Sequence, residues 1–299
     1  MGTDPSVRIL TVQHLARTGL LVLILLMAAL PRLLLAQTSC SSPSPECVEV
    51  GRLNISASFG VGHRSNPIAG KSDIPLVVIP QISFYAKRFF IENLELGFTL
   101  TESDSSTFSL IGAPGYDRVF FYRNDLQNIF VVASGGGGGG FTVAPRPPRT
   151  DVDVQSQEFE VGPRRTTYMV GPEWTFERGP FVGQLNALRE VTGRHDGTEV
   201  RAALAASLLR SKGSLVASAG ATWKSSEVVR YYYGVENLYQ PGSALSPFVK
   251  LRYALPLSDR WTVNAFAHYE RLPNSIANSP IVADSHVTTF FAGVVLRVR

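Results

Sequence analysis

Alternation of apolar and polar residues with a period of two is the feature that most constrains this chain. In residues 53–62 every odd position is apolar and every even position is small or polar. Similar segments, each about ten residues long, recur up to the C-terminus, while helical periodicity is nearly absent. Because successive side chains of a strand point to opposite faces, the pattern predicts an all-β protein whose strands each carry one apolar face.

The lengths of the connections distinguish two architectures that share this alternation. A soluble sandwich buries the apolar faces in its core, whereas a transmembrane barrel turns them to lipid and keeps the polar faces inside. Long and tight gaps alternate along the chain, as they do in outer-membrane barrels with short periplasmic turns and long external loops. We therefore predict a transmembrane antiparallel β-barrel. The gaps, read back from the C-terminus, are 272–285, 257–260, 224–245, 210–213, 193–197, 178–179 and 124–165.

The alternation divides the chain into 10–12 strands, an even number being usual for bacterial single-chain barrels. Pro75 and Pro80 bracket an apolar run and fit poorly in a closed ladder, so that strand is predicted to start late or carry a bulge. The predicted strands are 52–62, 75–85, 88–101, 105–112, 118–131, 166–177, 180–192, 198–210, 214–224, 246–256, 260–271 and 286–298.

Composition excludes several other classes of protein. The chain is 44% hydrophobic and 17% charged, and only one apolar stretch, near the N-terminus, approaches the length of a membrane-spanning helix. A polytopic helical membrane protein is therefore excluded. A formal net charge of +4 is weak for a nucleic-acid-binding protein of this size, so no nucleic-acid partner is predicted.

Residues 1–36 are predicted to be an export signal. Arg8 and Arg17 precede an apolar core at 19–30, and Ala36 offers a small residue before a cleavage site; an uncleaved anchor is the alternative. Removing the signal takes away three arginines and one aspartate, so the formal net charge falls from +4 to +2. Export and the barrel pattern together predict the cell outer membrane, with lipid as a partner and a monomeric state.

Two further segments flank or interrupt the predicted barrel at 52–299. The segment 37–51 contains Cys40 and Cys47, which are predicted to form a disulfide in an oxidising compartment. Residues 134–165 contain six consecutive glycines and a Pro/Arg tract, and are predicted to be a flexible external loop. The glycines are not followed by Lys-Ser/Thr, so a phosphate-binding loop is not predicted.

Charged side chains on the polar faces form a predicted lumen network. A few mixed charges fit either an occluded interior or a narrow pore, and both alternatives remain open. Neither a metal site nor a cofactor is predicted, because the chain has no His-Glu-x-x-His motif and only two cysteines. The residues assigned to the network are Arg201, Lys250, Arg252, His268 and Glu270.

Candidate catalytic and ligand-binding residues lie at the predicted outer end of the barrel. A rim hydrolase would combine His268 and Glu270 with a nearby serine, Ser275 or Ser279. The pair His195–Asp196 is a weaker protease candidate. Because such residues are common on polar faces, we predict no catalytic residue and no enzyme activity. Tyr231, Tyr232 and Tyr233 lie in a long external loop and form either a binding surface or an aromatic cluster at the rim.

Short motifs in a fixed order give the chain a family resemblance. They are Gly60-Val61-Gly62 leading to Arg88-Phe89-Phe90, Gly179-Pro180-Phe181, residues 191–197, Tyr231-Tyr232-Tyr233-Gly234-Val235 and Ser279-Pro280-Ile281-Val282. This succession resembles the MltA-interacting protein (MipA)/OmpV family over essentially the whole mature chain. Arg299 departs from the aromatic residue usual at a barrel C-terminus.

The resemblance implies an outer-membrane barrel that acts as a scaffold or binding protein, with murein hydrolase and murein synthase proteins as partners. A narrow channel for small solutes is the alternative, and a rim hydrolase is the third.

Overall fold

A computed structural model describes residues 50–122, 164–210 and 212–298, apart from the side chain of Arg210. These residues form a closed antiparallel barrel of twelve strands in which sequence neighbours are sheet neighbours and β1 also pairs with β12. The strands are β1 Leu53–Arg64, β2 Ile74–Tyr85, β3 Phe89–Glu92, β4 Glu95–Ser103, β5 Ser106–Pro114, β6 Tyr168–Arg178, β7 Phe181–Glu190, β8 Thr198–Arg210, β9 Ser214–Lys224, β10 Ala244–Pro256, β11 Trp261–Arg271 and β12 His286–Arg297.

The two ends of the barrel differ in their connections. Turns as short as 104–105 and 179–180 join strands at one end, whereas 191–197, 225–243 and 272–285 join them at the other. The long connections hold a 3-10 helix at Tyr116–Phe120 and two short α-helices, α1 Ser226–Tyr233 and α2 Asn274–Ala277. In the described part of the chain, no helix is long and apolar enough to span a bilayer. The predicted alternation of short turns and long loops is confirmed.

The outer surface of the barrel is apolar, whereas its interior holds polar and charged side chains beside two buried apolar clusters. Val61 is 72% exposed and Val249 is 55% exposed on the outside, whereas the inward Ser58 is 1% exposed. Trp261 lies at the short-turn end, and Trp223 and Tyr269 at the long-loop end, all facing outward. Aromatic residues at both rims of an apolar band are typical of membrane barrels.

The β3–β4 region differs from the predicted strands. The sequence predicted one strand at 88–101, but the chain turns back at Asn93, whose φ of 56° is the left-handed conformation that asparagine tolerates. The prediction of a strand at 118–131 is wrong where the chain is described: Tyr116–Phe120 is a 3-10 helix, and residues 123–131 lie outside the described part. No glycine or proline marks the first of these turns, whereas Pro114-Gly115 ends β5 immediately before the 3-10 helix.

The irregularity predicted at Pro75 and Pro80 is present. The ladder between β1 and β2 shifts register between Phe59 and Gly62, opposite Leu76–Val78. A bulge of this kind accommodates prolines that cannot donate to the ladder. The signal at 1–36, the disulfide between Cys40 and Cys47, and the loop at 134–163 lie outside the described residues and stay predictions.

Candidate functional site: the lumen and its cap

The five residues assigned to the lumen network lie at inward positions of their strands. Their immediate neighbours along the chain are lipid-facing, so the alternation that exposes Val249, Leu251 and Tyr269 turns the charged residues inward. Arg201 lies on β8, Lys250 and Arg252 on β10, and His268 and Glu270 on β11. The barrel therefore encloses charged side chains.

One wall of the lumen is basic. Lys250 on β10 lies opposite His268 on β11, and Arg252 is two residues further along β10. Arg64 is on β1, which is separated from β11 by β12. Its Nε donates to Thr289 Oγ1 on β12 at 3.2 Å. We call Arg64, Lys250 and Arg252 the basic wall.

Another part of the lumen is acidic, and the sequence reasoning missed it. Glu92 and Glu95 face each other at the closed end of the β3–β4 hairpin. Glu173 on β6 lies within electrostatic range of both. Its Oε2 accepts from Gln184 Nε2 at 2.7 Å and, more weakly, from Asn186 Nδ2 at 3.4 Å. We call Glu92, Glu95 and Glu173 the acidic wall.

Lys250 and Arg252 of the basic wall lie across the lumen from Glu95 of the acidic wall, whereas Arg64 on β1 is only two strands from Glu92 on β3. In the ring of twelve strands, β10 and β4 are six strands apart in either direction, so they are diametrically opposed. Lys250 and Arg252 are near the middle of β10 and Glu173 is near the middle of β6, four strands away, whereas Glu95 is the first residue of β4. Twelve strands at about 4.8 Å spacing and roughly 40° tilt give a backbone diameter of roughly 25 Å, which side chains narrow. An ion in this lumen experiences a transverse field.

A buried ion pair lies above these walls at the long-loop end. Lys224 Nζ, at the end of β9, donates to both carboxylate oxygens of Asp117 at 2.6 and 2.7 Å. Both side chains are less than one-tenth exposed. Arg201 bonds Glu199 at 2.5 Å and stacks over the ring of Tyr116, 4.9 Å from its centre. Asp117 and Tyr116 belong to the 3-10 helix, so these contacts join that helix to the barrel wall.

Folded connections close the long-loop end of the barrel. Asn66 Nδ2, from the β1–β2 connection, donates to the carbonyl of Phe120 at 3.0 Å, and Ser279 Oγ donates to the carbonyl of Tyr233 at 2.6 Å. Connections from opposite sides of the ring can meet only across its mouth, so we call this cluster the cap. Its buried residues are Ile68, Val119, Phe120, Val228, Val229, Tyr232, Tyr233, Ala244, Leu272, Ile276 and Val287.

The three consecutive tyrosines are part of the cap. Tyr232 and Tyr233 are almost fully buried, and the Tyr232 hydroxyl shares a hydrogen bond of 2.9 Å with Thr167 Oγ1. Tyr231 is half-buried, and its hydroxyl accepts from the Arg165 backbone N–H at 2.8 Å. A binding role for them stays a prediction, with Tyr231 the most accessible of the three.

The two serines considered for a hydrolase site are hydrogen-bonded to backbone carbonyls and not to a histidine. Ser275 Oγ donates to the Ser243 carbonyl at 3.0 Å, and Ser279 Oγ is bound to Tyr233. His268 lies between Lys250 and Thr289 in the ladder. His195 packs against Tyr231 and Tyr232, and burial lowers the pKa of its imidazole below the usual range. The described part of the chain brings neither histidine into hydrogen-bond contact with a serine.

The chain is similar to several known proteins. The family described as MltA-interacting protein MipA matches residues 57–298. YiaT of Escherichia coli (strain K12), named as an outer membrane protein, is 21% identical over 249 residues, 80% of this chain and 89% of the relative. Outer membrane protein Omp26La of Vibrio anguillarum is 32% identical over 80 residues, 24% of this chain and 31% of the relative. An anion-selective porin from Comamonas acidovorans aligns with a TM-score of 0.35 and 8% identity, covering 82% of this chain and 98% of the porin.

Proposed function

This chain belongs to the MltA-interacting protein MipA family of outer-membrane barrels, and we propose that it is a gated conduit for small charged solutes. The observation that supports this most is that Lys250 and Arg252 lie across the lumen from Glu95 of the acidic wall. An interior that only filled space would be served as well by apolar side chains. Burying charged side chains costs free energy. Charged residues inside membrane proteins therefore commonly line the pathway of a solute or an ion.

The cap is the gate in this proposal. It covers the external mouth through an apolar cluster, and the Lys224–Asp117 ion pair fastens it to β9. Solute would pass when the 3-10 helix moves away from β9. No catalytic residue is needed for such a role.

Permeation by purified protein tests the conduit. We expect proteoliposomes to swell in small charged solutes such as glycine or arginine and to swell far more slowly in a trisaccharide, because side chains narrow the roughly 25 Å ring. Light scattering after dilution into isotonic solute measures the rate, with protein-free vesicles as the control. If neither the wild type nor a variant with a loosened cap passes any solute, the conduit proposal is wrong.

The description of the family favours a second candidate, a scaffold for murein enzymes. The described turns at the periplasmic end are short, so a docking surface would have to come largely from residues 37–51. Deleting 37–50 should therefore abolish capture of murein hydrolases and synthases in a pull-down. Unchanged capture by the deletion variant would contradict this candidate, and deletion of residues 134–150, in the segment predicted to be an external loop, is the matched control.

A further inference from the structure

One row of inward side chains crosses five neighbouring strands, β9, β10, β11, β12 and β1. Each member of the row lies directly opposite the next in the ladder, and the members in order are Ser218, Lys250, His268, Thr289 and Arg64. Residues directly opposite each other on neighbouring strands share a face of the sheet, so all five side chains lie on the lumen side. We call these five residues the donor row.

Every member of the donor row has a group that can donate a hydrogen bond to an anion. Arg64 and Lys250 are cations, Ser218 and Thr289 carry hydroxyl groups, and the imidazole of His268 has an N–H. Arg64 Nε donates to Thr289 Oγ1 at 3.2 Å. That bond uses neither the two Nη atoms of Arg64 nor the hydroxyl hydrogen of Thr289, and both kinds of donor bind oxyanions.

The cationic side chains of this part of the wall converge. Lys250 lies within electrostatic range of both Arg64 and Arg252, and His268 lies within range of Arg64 and Lys250. Strands β10 and β1 are three strand spacings apart, a quarter of the ring, so inward side chains on them approach each other toward the barrel axis. Like charges held together repel one another, and an anion between them is attracted by each.

Aromatic rings lie on both sides of the donor row. Toward the short-turn end, Phe266 and Phe291 stack with their ring centres 5.7 Å apart. Toward the long-loop end, the ring of Phe248 lies 5.5 Å from the ring of His268. Apolar neighbours lower the local dielectric constant, and charge-assisted hydrogen bonds are stronger there than in water. The donor row is therefore a polar layer between two layers that contain aromatic rings.

The charge in and beside the donor row is complementary to that of a phosphate group. Arg64, Lys250 and Arg252 are three cations, and Glu270, two residues nearer the cap than His268, is a carboxylate in electrostatic range of Arg64. Three positive charges and one negative charge leave a formal excess of +2. A phosphate group carries about −1.5 to −2 at neutral pH and offers at least three acceptor oxygens, whereas a carboxylate offers two.

We propose that the donor row binds the phosphate group of a small solute, either inorganic phosphate or a phosphate monoester, on its way through the lumen. This inference rests on the proposed function and deepens it, because it names the class of solute that the conduit takes. Arg64 and Lys250 hold the phosphate oxygens by charge-assisted hydrogen bonds. Thr289 and His268 lie between them in the row and add neutral donors.

Equilibrium dialysis of ³²P-labelled inorganic phosphate against the purified full chain in detergent tests the site. The buffer contains about 0.15 M KCl, which screens attraction to exposed charges. Binding is measured in the wild type and in Lys224→Met, so that a closed cap does not hide the donor row. The test variant is Arg64→Gln with Lys250→Gln. The matched control, Lys212→Gln with Arg260→Gln, removes the same charge from exposed turns at the short-turn end.

We expect saturable binding of a single phosphate per barrel, displaced by sulfate, which has the same tetrahedral shape. The test variant should bind about a hundredfold more weakly, because it loses two charge-assisted hydrogen bonds that each contribute about tenfold in affinity. The control variant should bind as the wild type does. If heat-modifiable migration shows that the test variant loses its barrel, Thr289→Val, which keeps the shape of the side chain, takes its place with an expected weakening of about tenfold.

Competition with glycerol 3-phosphate distinguishes the two sources of the phosphate group. Tighter competition than that of inorganic phosphate assigns the site to monoesters, and weaker competition assigns it to the free anion. Absence of saturable binding in both backgrounds, or equal weakening in the control variant, would overturn the site. Dialysis reports binding and swelling reports passage, so a barrel that binds phosphate but passes no solute keeps the site and loses the conduit. A barrel that passes glycine without binding phosphate keeps the conduit and loses the site.

Discussion

Replacing Lys224 with methionine should open the lumen by releasing the cap. The substitution keeps the length of the side chain but leaves the Asp117 carboxylate buried without its ammonium partner. Removing one member of a buried pair costs about 3–5 kcal/mol. Outward movement of the 3-10 helix, which returns Asp117 to water, relieves that cost.

The expected size of the effect follows from the same energy. The cost of leaving Asp117 buried without its partner is about 3 kcal/mol, and opening the cap relieves most of it. The ratio of open to closed barrels should therefore rise roughly a hundredfold, since about 1.4 kcal/mol corresponds to a factor of ten. Planar-bilayer recording of Lys224→Met should therefore show a much larger open fraction than the wild type. Lys212→Met, in an exposed turn at the other end of the barrel, is the control and should behave as the wild type.

A second variant distinguishes the effect of losing the ion pair from a general destabilisation of the barrel. Replacing both members, as Asp117→Leu with Lys224→Met, removes the stranded charge and should return the open fraction toward the wild type. Heat-modifiable migration on a gel shows whether each variant keeps its barrel. A folded Lys224→Met protein with an unchanged open fraction would contradict a gating role for the pair.

Much of the barrel could be predicted from the sequence because the period of two is local. In residues 53–62, 214–224 and 286–296, the exposed positions of the structure are the predicted apolar ones. The turn-forming residues Lys212-Gly213 and Gly179-Pro180 lie at two of the short connections that the alternation predicts. Each of these signals is carried by neighbouring residues and needs no knowledge of the partner strand.

The features that shape the candidate site are not local. Asp117 and Lys224 are 107 residues apart, and nothing in their surroundings marks them as a pair. Tyr232 and Tyr233 were predicted to lie in a loop, and only the meeting of four connections buries them. The sequence pattern did not predict the hairpin at Asn93, because apolar residues continue on both sides of it. Asparagine between two glutamates was the one available signal that the strand ends there.

Removing the positive charges of β10 should change which ions cross the barrel. Lys250→Gln with Arg252→Gln neutralises most of the basic wall and leaves the acidic wall intact. At a distance of about 6 Å in a water-filled lumen, each charge changes the electrostatic energy of a passing ion by roughly 0.7 kcal/mol. Because each charge repels K⁺ and attracts Cl⁻, losing two charges should shift the ratio of K⁺ to Cl⁻ permeability toward K⁺ by about a hundredfold.

The reversal potential across a KCl gradient measures this ratio, and recording in the Lys224→Met background gives enough open barrels to measure. Arg189→Gln is the matched control, because Arg189 is exposed between the buried Leu188 and Glu190 and so faces outward. Glu92→Gln with Glu95→Gln should shift the potential in the opposite direction, toward Cl⁻. If the β10 and hairpin variants gave the same reversal potential as Arg189→Gln, the opposed walls would not be on the ion path. The conduit would then have to be assigned elsewhere or abandoned, because their opposition is the observation on which it rests.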